Sequence, residues 1–156
     1  MGEIGEICIR GPQVTQGYYK RPDETAQAFD KDDWFHSGDI GFMDEQGYFQ
    51  IVDRKKDMIN ISGFNVYPNE VEAVIASHED VIEVGVIGIP DETSGETVMA
   101  VVVSRNPQLT HEHIRMHCEM SLTRYKIPRR TEFVDEMPKT NVGKILRREL
   151  RDQFID

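Results

Sequence analysis

With 156 residues, the chain is long enough for one ordinary domain or for two small pieces joined by a hinge. Its composition, 38% hydrophobic and 29% charged, is that of a folded globular protein and excludes a disordered tract. A formal net charge of −10 excludes a generic nucleic-acid binder, which needs a basic face.

The first elements are short and β-rich. Residues 6–10 read as a strand closed by Gly11-Pro12. Pro22-Asp23-Glu24-Thr25 opens a short helix carrying Ala26, Ala28 and Phe29. Residues 40–43 and 48–52 form a hairpin around Asp44-Glu45-Gln46-Gly47. None of these buries a core alone, so residues 1–53 are expected to be the β-rich edge of something larger. Asp53-Arg54-Lys55-Lys56-Asp57 interrupts the pattern, and residues 54–57 are expected to be a hinge.

From residue 58 the rhythm is that of a compact α+β unit, 58–156, with short β-sheets flanked by helices. Residues 58–61 and 64–67 form a hairpin about Ser62-Gly63. Pro68 opens a helix with Val71, Val74, Ile75 and His78 at i, i+3, i+4 and i+7. Residues 81–89 and 98–104 are strands joined by a loop over 91–96. Thr110 caps a helix whose Ile114, His117, Cys118 and Leu122 share a face. A last strand spans 131–134, and Leu146, Leu150 and Phe154 stripe a final helix.

No apolar run approaches the roughly 20 residues of a spanning helix, and no basic region followed by an apolar stretch suggests a secretory signal. Cys8 and Cys118 stand far apart, each without a ligand-like neighbour in sequence, so neither a disulfide scaffold nor a zinc site is expected and a reducing cytoplasm fits. His113 and His117 are spaced i, i+4, but His111-Glu112-His113 lacks the His-Glu-x-x-His order of zinc hydrolases; no metal site is expected. Charge is unevenly placed. Up to Asp53 eleven acids face four bases, whereas from Arg124 to Arg151 nine bases face four acids. A local basic tract on an acidic protein suits a phosphate-bearing small molecule, the plainer reading being a solvated helix and loop.

Four stretches together carry a resemblance: Gly5-Glu6-Ile7-Cys8-Ile9-Arg10-Gly11 with Gly17-Tyr18-Tyr19; Trp34-Phe35-His36-Ser37-Gly38-Asp39-Ile40; Asp53-Arg54-Lys55-Lys56-Asp57-Met58-Ile59 with Ser62-Gly63-Phe64-Asn65-Val66-Tyr67-Pro68; and Pro138-Lys139-Thr140-Asn141-Val142-Gly143-Lys144. In this order and spacing the chain resembles the C-terminal portion of the adenylate-forming enzymes, and among them most the long-chain fatty acyl-CoA ligases. The resemblance implies a small mobile C-terminal domain preceded by the end of a large ATP-binding domain. It implies a two-step reaction in which a fatty acid attacks the α-phosphate of ATP, giving an acyl-adenylate, and coenzyme A then displaces AMP.

By the same resemblance Lys144 is the catalytic lysine of adenylation, whose mobile ammonium bridges two anions in the transition state; Lys139 is its secondary neighbour. Asp39 and Arg54 are implied to bind the ribose of the nucleotide, Asp39 as an acceptor for two hydroxyls and Arg54 through its fixed fork of donors. Lys56 is implied as the hinge residue, where many relatives have aspartate. Ser62, Gly63, Tyr125 and Arg129 are implied to contact coenzyme A. Asn60 stands where luciferases carry a second lysine.

The phosphate loop, the acidic magnesium ligand and an acyl tunnel are not recognisable in these residues. The chain alone is therefore expected to be an inactive fragment, with Mg2+ held mainly by an N-terminal domain that is also its partner. Two other readings stay open: a peptide-synthetase adenylation domain or other aryl or short-chain acid ligase, and a non-catalytic nucleotide- or coenzyme-A-binding module. The expected location is cytoplasmic, with peripheral membrane contact of the parent enzyme left open.

Overall fold

The computed structural model describes residues 2–155. Among them the order is β1 (Gly5–Ile9), α1 (Pro22–Ala28), β2 (Phe35–Met43), β3 (Phe49–Arg54), β4 (Ile59–Ile61), β5 (Phe64–Val66), α2 (Pro68–Ala76), β6 (Val81–Asp91), β7 (Gly95–Ser104), α3 (His111–Glu119), β8 (Arg130–Phe133) and α4 (Arg147–Phe154). Short 3-10 turns occupy Lys55–Asp57 and Arg124–Lys126. No helix among the described residues is long and apolar enough to cross a membrane. Two compact units divide the chain between Lys56 and Asp57.

The first unit is a three-stranded antiparallel sheet in the order β1-β2-β3. Strand β2 begins at Phe35, five residues earlier than the apolar pattern suggests, so His36, Ser37, Gly38 and Asp39 lie within the strand rather than ahead of it. Gly38 holds a φ of +72°, a conformation glycine adopts without steric cost. Of the core-type side chains among the described residues of this unit only Ile40 is buried, as expected of strands that cannot close a core alone.

The second unit is built on a five-stranded sheet with path β5-β4-β7-β6, to which β8 adds in parallel along β7. Strands β6 and β7 form a long hairpin, tighter than the loop expected over 91–96, because pairing persists to Asp91 and Gly95. Gly95 makes this possible with a φ of +80°. The hairpin's nearly unbroken apolar sequence follows from burial of both its faces. Val84, Val86, Val98, Ala100 and Val102 pack with Val71 and Ile75 of α2 and Ile114 and Cys118 of α3. The alternate residues Ile87, Met99 and Val101 pack with Met137 and with Leu150 of α4.

Helix α3 starts at the expected cap: Thr110 Oγ1 accepts the His113 N–H, and the His113 ring accepts the Thr110 N–H. His117, expected on the core face, is only half-buried and bonds the Val74 carbonyl of α2 instead (3.0 Å). In α4 the expected stripe contracts. Leu146 is the N-cap, Phe154 is half-buried, and Leu150 alone is fully enclosed. Space for it exists because Gly85 of β6 has no side chain; a Cβ there would lie 2.7 Å from Leu150 Cδ1.

Leu150→Ala is expected to lower unfolding free energy by about 2–5 kcal/mol, through lost transfer energy and a residual cavity. The exposed neighbour Arg148→Ala is expected to change it by less than about 0.5 kcal/mol. Urea unfolding of the two variants beside the parent chain checks both.

Candidate functional site

In the first unit, antiparallel pairing of β2 with β3 sets Asp39 directly opposite Arg54. The Arg54 Nε donates to Asp39 Oδ1 at 2.9 Å, with the arginine side chain 58% exposed and the aspartate 21%. The two residues expected at the nucleotide are therefore neighbours, and the pair presents acceptor and donor groups together at a half-exposed edge. Strand β2 is held in place from β1. The Ser37 hydroxyl donates to the Ile7 carbonyl (2.7 Å), and the Asp39 N–H donates to Ser37 Oγ (3.1 Å).

Glu6 of β1 is the hub of this edge. Its Oε1 accepts the Gly38 N–H at 3.2 Å, while Oε2 accepts from His36 Nδ1 and Lys55 Nζ, both at 2.8 Å. Burial alone would push the Glu6 carboxyl up; hydrogen bonds from His36 and Lys55, with the attraction of both, outweigh it and hold the carboxyl below its ordinary value. The motif reading did not single out Glu6 or His36 by role, since 30 residues separate the partners. The same pairing sets Cys8 opposite His36, with Sγ 3.7 Å from Nδ1, so Cys8 has neighbours its sequence position does not reveal. Burial, then the Glu6 and Asp30 carboxylates, push this thiol up. Cys118, enclosed in the core, is pushed up to about 11 by burial.

Lys56 is the last residue of the first unit, exposed in the turn Lys55–Asp57. Its neighbours differ from it. Lys55 is tied to Glu6 of the first unit, and Asp57 to Arg151 of the second at 2.8 Å.

In the second unit the stretch around Lys144 is a small hairpin. Lys139 bridges Ile145, the Thr140 N–H donates to the Lys144 carbonyl (2.8 Å), and Gly143 turns the chain at a φ of +80°. The base is fixed by the Leu146 N–H on the Pro138 carbonyl (2.9 Å). This geometry supports the segment that carries Lys144 by backbone bonds. It also separates the two lysines: Lys139 Nζ is engaged by Glu83 at 2.7 Å, whereas Lys144 is exposed and has no ion-pair partner among the described residues.

Ser62, Tyr125 and Arg129 line one groove of about 970 Å³, with Phe64, Arg115 and Arg124. Ser62 and Gly63 form its β4–β5 turn, both at positive φ (+51° and +88°). Asn60 closes that turn by accepting the Gly63 N–H at 3.0 Å, a role for the amide that a lysine would not fill. The Phe64 and Tyr125 rings stack with centroids 5.1 Å apart. Arg129 pairs with Asp91 at 3.3 Å while remaining 65% exposed.

Residues 70–144 match the AMP-binding enzyme C-terminal domain. The long-chain-fatty-acid–CoA ligase of Escherichia coli O157:H7 is 56% identical over 152 residues, which are 97% of this chain and 27% of that ligase. The Yersinia pestis long-chain-fatty-acid–CoA ligase is 57% identical over 155 residues, 99% of this chain and 27% of its own. The crystal structure of ATP-bound MatB from Rhodopseudomonas palustris superimposes with a TM-score of 0.90 at 37% identity, over 98% of this chain and 31% of MatB. The chain thus spans about a quarter of the length of the curated relatives it matches.

A carboxyl held below its ordinary 4.5 contributes stability above that pH and loses it as pH falls through the folded value. Glu6→Gln is therefore expected to be less stable than the parent chain at neutral pH. The difference should begin to shrink as pH falls past 4.5 and vanish only below the lowered folded value, as urea unfolding across acidic pH will show.

Proposed function

We propose, from the premise that residues 70–144 belong to the AMP-binding enzyme C-terminal domain family, that the chain serves as the nucleotide-facing edge and mobile domain of an ATP-dependent long-chain acyl-CoA ligase. The observation that carries this reading is the Lys144 hairpin: one exposed, uncommitted ammonium on a hydrogen-bonded tip, beside a second lysine already engaged by Glu83. Relatives named long-chain-fatty-acid–CoA ligase reach 56–57% identity against 47% for a 2-succinylbenzoate–CoA ligase, which favours this reading over a peptide-synthetase or aryl-acid ligase.

In the first half-reaction a fatty-acid carboxylate attacks the α-phosphorus of ATP and pyrophosphate leaves. Negative charge converges on the α-phosphoryl oxygens, and the Lys144 ammonium neutralises it where it develops. Asp39 accepts the ribose hydroxyls, with Arg54 holding its carboxylate and contacting the sugar. In the second half-reaction the coenzyme A thiol attacks the acyl carbon and AMP leaves. Ser62, Gly63, Tyr125 and Arg129 receive coenzyme A in their groove, where the left-handed turn lets backbone approach the pantetheine arm and Arg129 meets phosphate.

Lys56 is the hinge between the two arrangements. Support comes from its flanks, since Lys55 and Asp57 are anchored to different units and leave the intervening backbone to absorb rotation. We assign no magnesium ligand to these residues. The carboxylates beside the proposed nucleotide groups are engaged by cations already, Asp39 by Arg54, Glu83 by Lys139 and Glu72 by Arg147. Mg2+ rests with residues outside this chain.

The test uses a chimera in which this chain replaces the matching 152 residues of the Escherichia coli O157:H7 relative. Lys144→Ala in the chimera is expected to slow ATP–pyrophosphate exchange at least about a hundredfold. Thioester formation from preformed acyl-adenylate should be far less affected, and Lys139→Ala should leave both steps nearly intact. Equal loss of both half-reactions would count against the assignment. The chain by itself is expected to bind coenzyme A through the Tyr125 groove, weakened by Arg129→Ala in calorimetric titration, without exchanging pyrophosphate. Coenzyme A binding paired with an inactive chimera would favour the non-catalytic module.

A further inference from the structure

The β1–β2 pairing assembles three metal-ligating side chains that the acyl-CoA ligase reading does not use. Cys8 and His36 are cross-strand partners, and a register shift between Glu6 and Cys8 marks an irregularity in β1 beside them. Such bulges re-aim side chains. His36 Nδ1 lies 2.8 Å from Glu6 Oε2 and 3.7 Å from Cys8 Sγ, and the three donor atoms all fall within 4.8 Å of one another. We propose that Glu6 Oε2, Cys8 Sγ and His36 Nδ1 form a three-residue binding site for a borderline-soft divalent cation of the zinc type.

The sulfur–nitrogen spacing fits the chemistry: tetrahedral zinc, with bonds of about 2.0 Å to nitrogen and 2.3 Å to sulfur, sets those two atoms roughly 3.5 Å apart, and here they are 3.7 Å apart. Glu6 Oε2 and His36 Nδ1, now hydrogen-bonded at 2.8 Å, separate to roughly 3.3 Å when the ion replaces the proton between them. The donor set of one thiolate, one imidazole and one carboxylate suits zinc and leaves a fourth position for water. A single carboxylate oxygen does not suit calcium or magnesium, which take six or more oxygens. The surroundings add a second, independent feature. His36 Nε2, on the other side of the ring from Nδ1, lies 3.8 Å from Asp30 Oδ2, outside hydrogen-bond distance but near enough for the carboxylate to favour a proton on Nε2 and leave Nδ1 to the ion. Glu6 is pinned through its other oxygen to the Gly38 N–H, so Oε2 is presented in a fixed direction.

Two groups compete, and each can yield. Lys55 Nζ occupies Glu6 Oε2 at 2.8 Å, but its side chain is 57% exposed and its ammonium returns to water at small cost. As the ion binds, the proton on His36 Nδ1 that now bridges to Glu6 gives way and the neutral ring carries its proton on Nε2 instead, while the Cys8 thiol gives its proton to solvent, so each ion bound releases one proton. The neighbouring Glu6 and Asp30 carboxylates, which disfavour a bare thiolate, attract the cation that would replace the proton.

Cobalt(II) titration of the chain tests this without reference to ligase activity. Saturation near one equivalent with a thiolate-to-cobalt charge-transfer band is expected, with the band reversed by zinc and missing in Cys8→Ser. His36→Ala should weaken binding at least about tenfold. Should a variant fail to fold by circular dichroism, the unaltered chain supplies the decision. Saturating zinc, but not magnesium, is expected to slow iodoacetamide alkylation of Cys8 at least about tenfold. A folded chain with no thiolate band, or with Cys8 alkylation unchanged by zinc, overturns the proposal.

Discussion

The second unit depends on one charged cluster, formed by Asp57, Glu72, Arg147 and Arg151. Arg147 reaches Glu72 through two nitrogens (2.8 and 3.1 Å) and Asn69 at 2.6 Å, while Arg151 holds Asp57 at 2.8 Å. Glu72 also accepts the Val86 N–H of β6 at 2.8 Å. Helix α2, strand β6, helix α4 and the first turn of the unit thus share one set of bonds. The side chains are only 10–28% exposed, so the cluster has little access to water. Desolvation offsets much of the attraction in such a network, and its net contribution to stability is small while it is whole. Removing one member is costly, because the partner is left buried with its charge uncompensated. What the cluster supplies is register: α4 seats Leu150 over Gly85 in one orientation, and the Lys144 hairpin, which runs directly into α4, inherits that orientation.

The same logic operates on a smaller scale in the first unit. Glu6 gathers the Gly38 N–H, the His36 ring and the Lys55 ammonium, and so fixes the backbone on which Asp39 is carried. Each unit therefore has a carboxylate hub close to the division between them, with Lys55 answering to one and Asp57 belonging to the other. Lys56 lies between. On the hinge role proposed for Lys56, flanks anchored by ion pairs confine torsional change to fewer bonds than a loose linker would.

Much of this was legible in the residues, for identifiable reasons. Val71 and Ile75, and Ile114 and Cys118, repeat at helical spacing and are buried, whereas Leu122, expected on the same helix as Ile114, is buried beyond the end of α3 at Glu119. Residues 40–43 and 48–52 are visible as a hairpin because Asp44 and Gly47 supply the turn between them. The start of β2 was hidden, since Phe35-His36-Ser37-Gly38 neither alternates nor carries β-branched residues. The interactions least visible in sequence are those between charged side chains far apart in the chain. Glu72 and Arg147 are 75 residues apart, and Glu6 and His36 are 30 apart; neither pairing leaves a local pattern. The motif around Lys144 marked two lysines without ranking them by geometry, and only the distance from Lys139 to Glu83 separates their surroundings.

The Asp57–Arg151 pair also orders events in time. Its partners are 94 residues apart, so a ribosome emits Asp57 long before the guanidinium that neutralises it. The β4–β5 and β6–β7 hairpins close over short spans and can form early, whereas α4 must return across the whole unit to complete the cluster. Until then the nascent sheet has one apolar face uncovered, at Ile87, Met99 and Val101. A chain lacking the helix that follows Lys144 would leave that face open to aggregation and proteolysis.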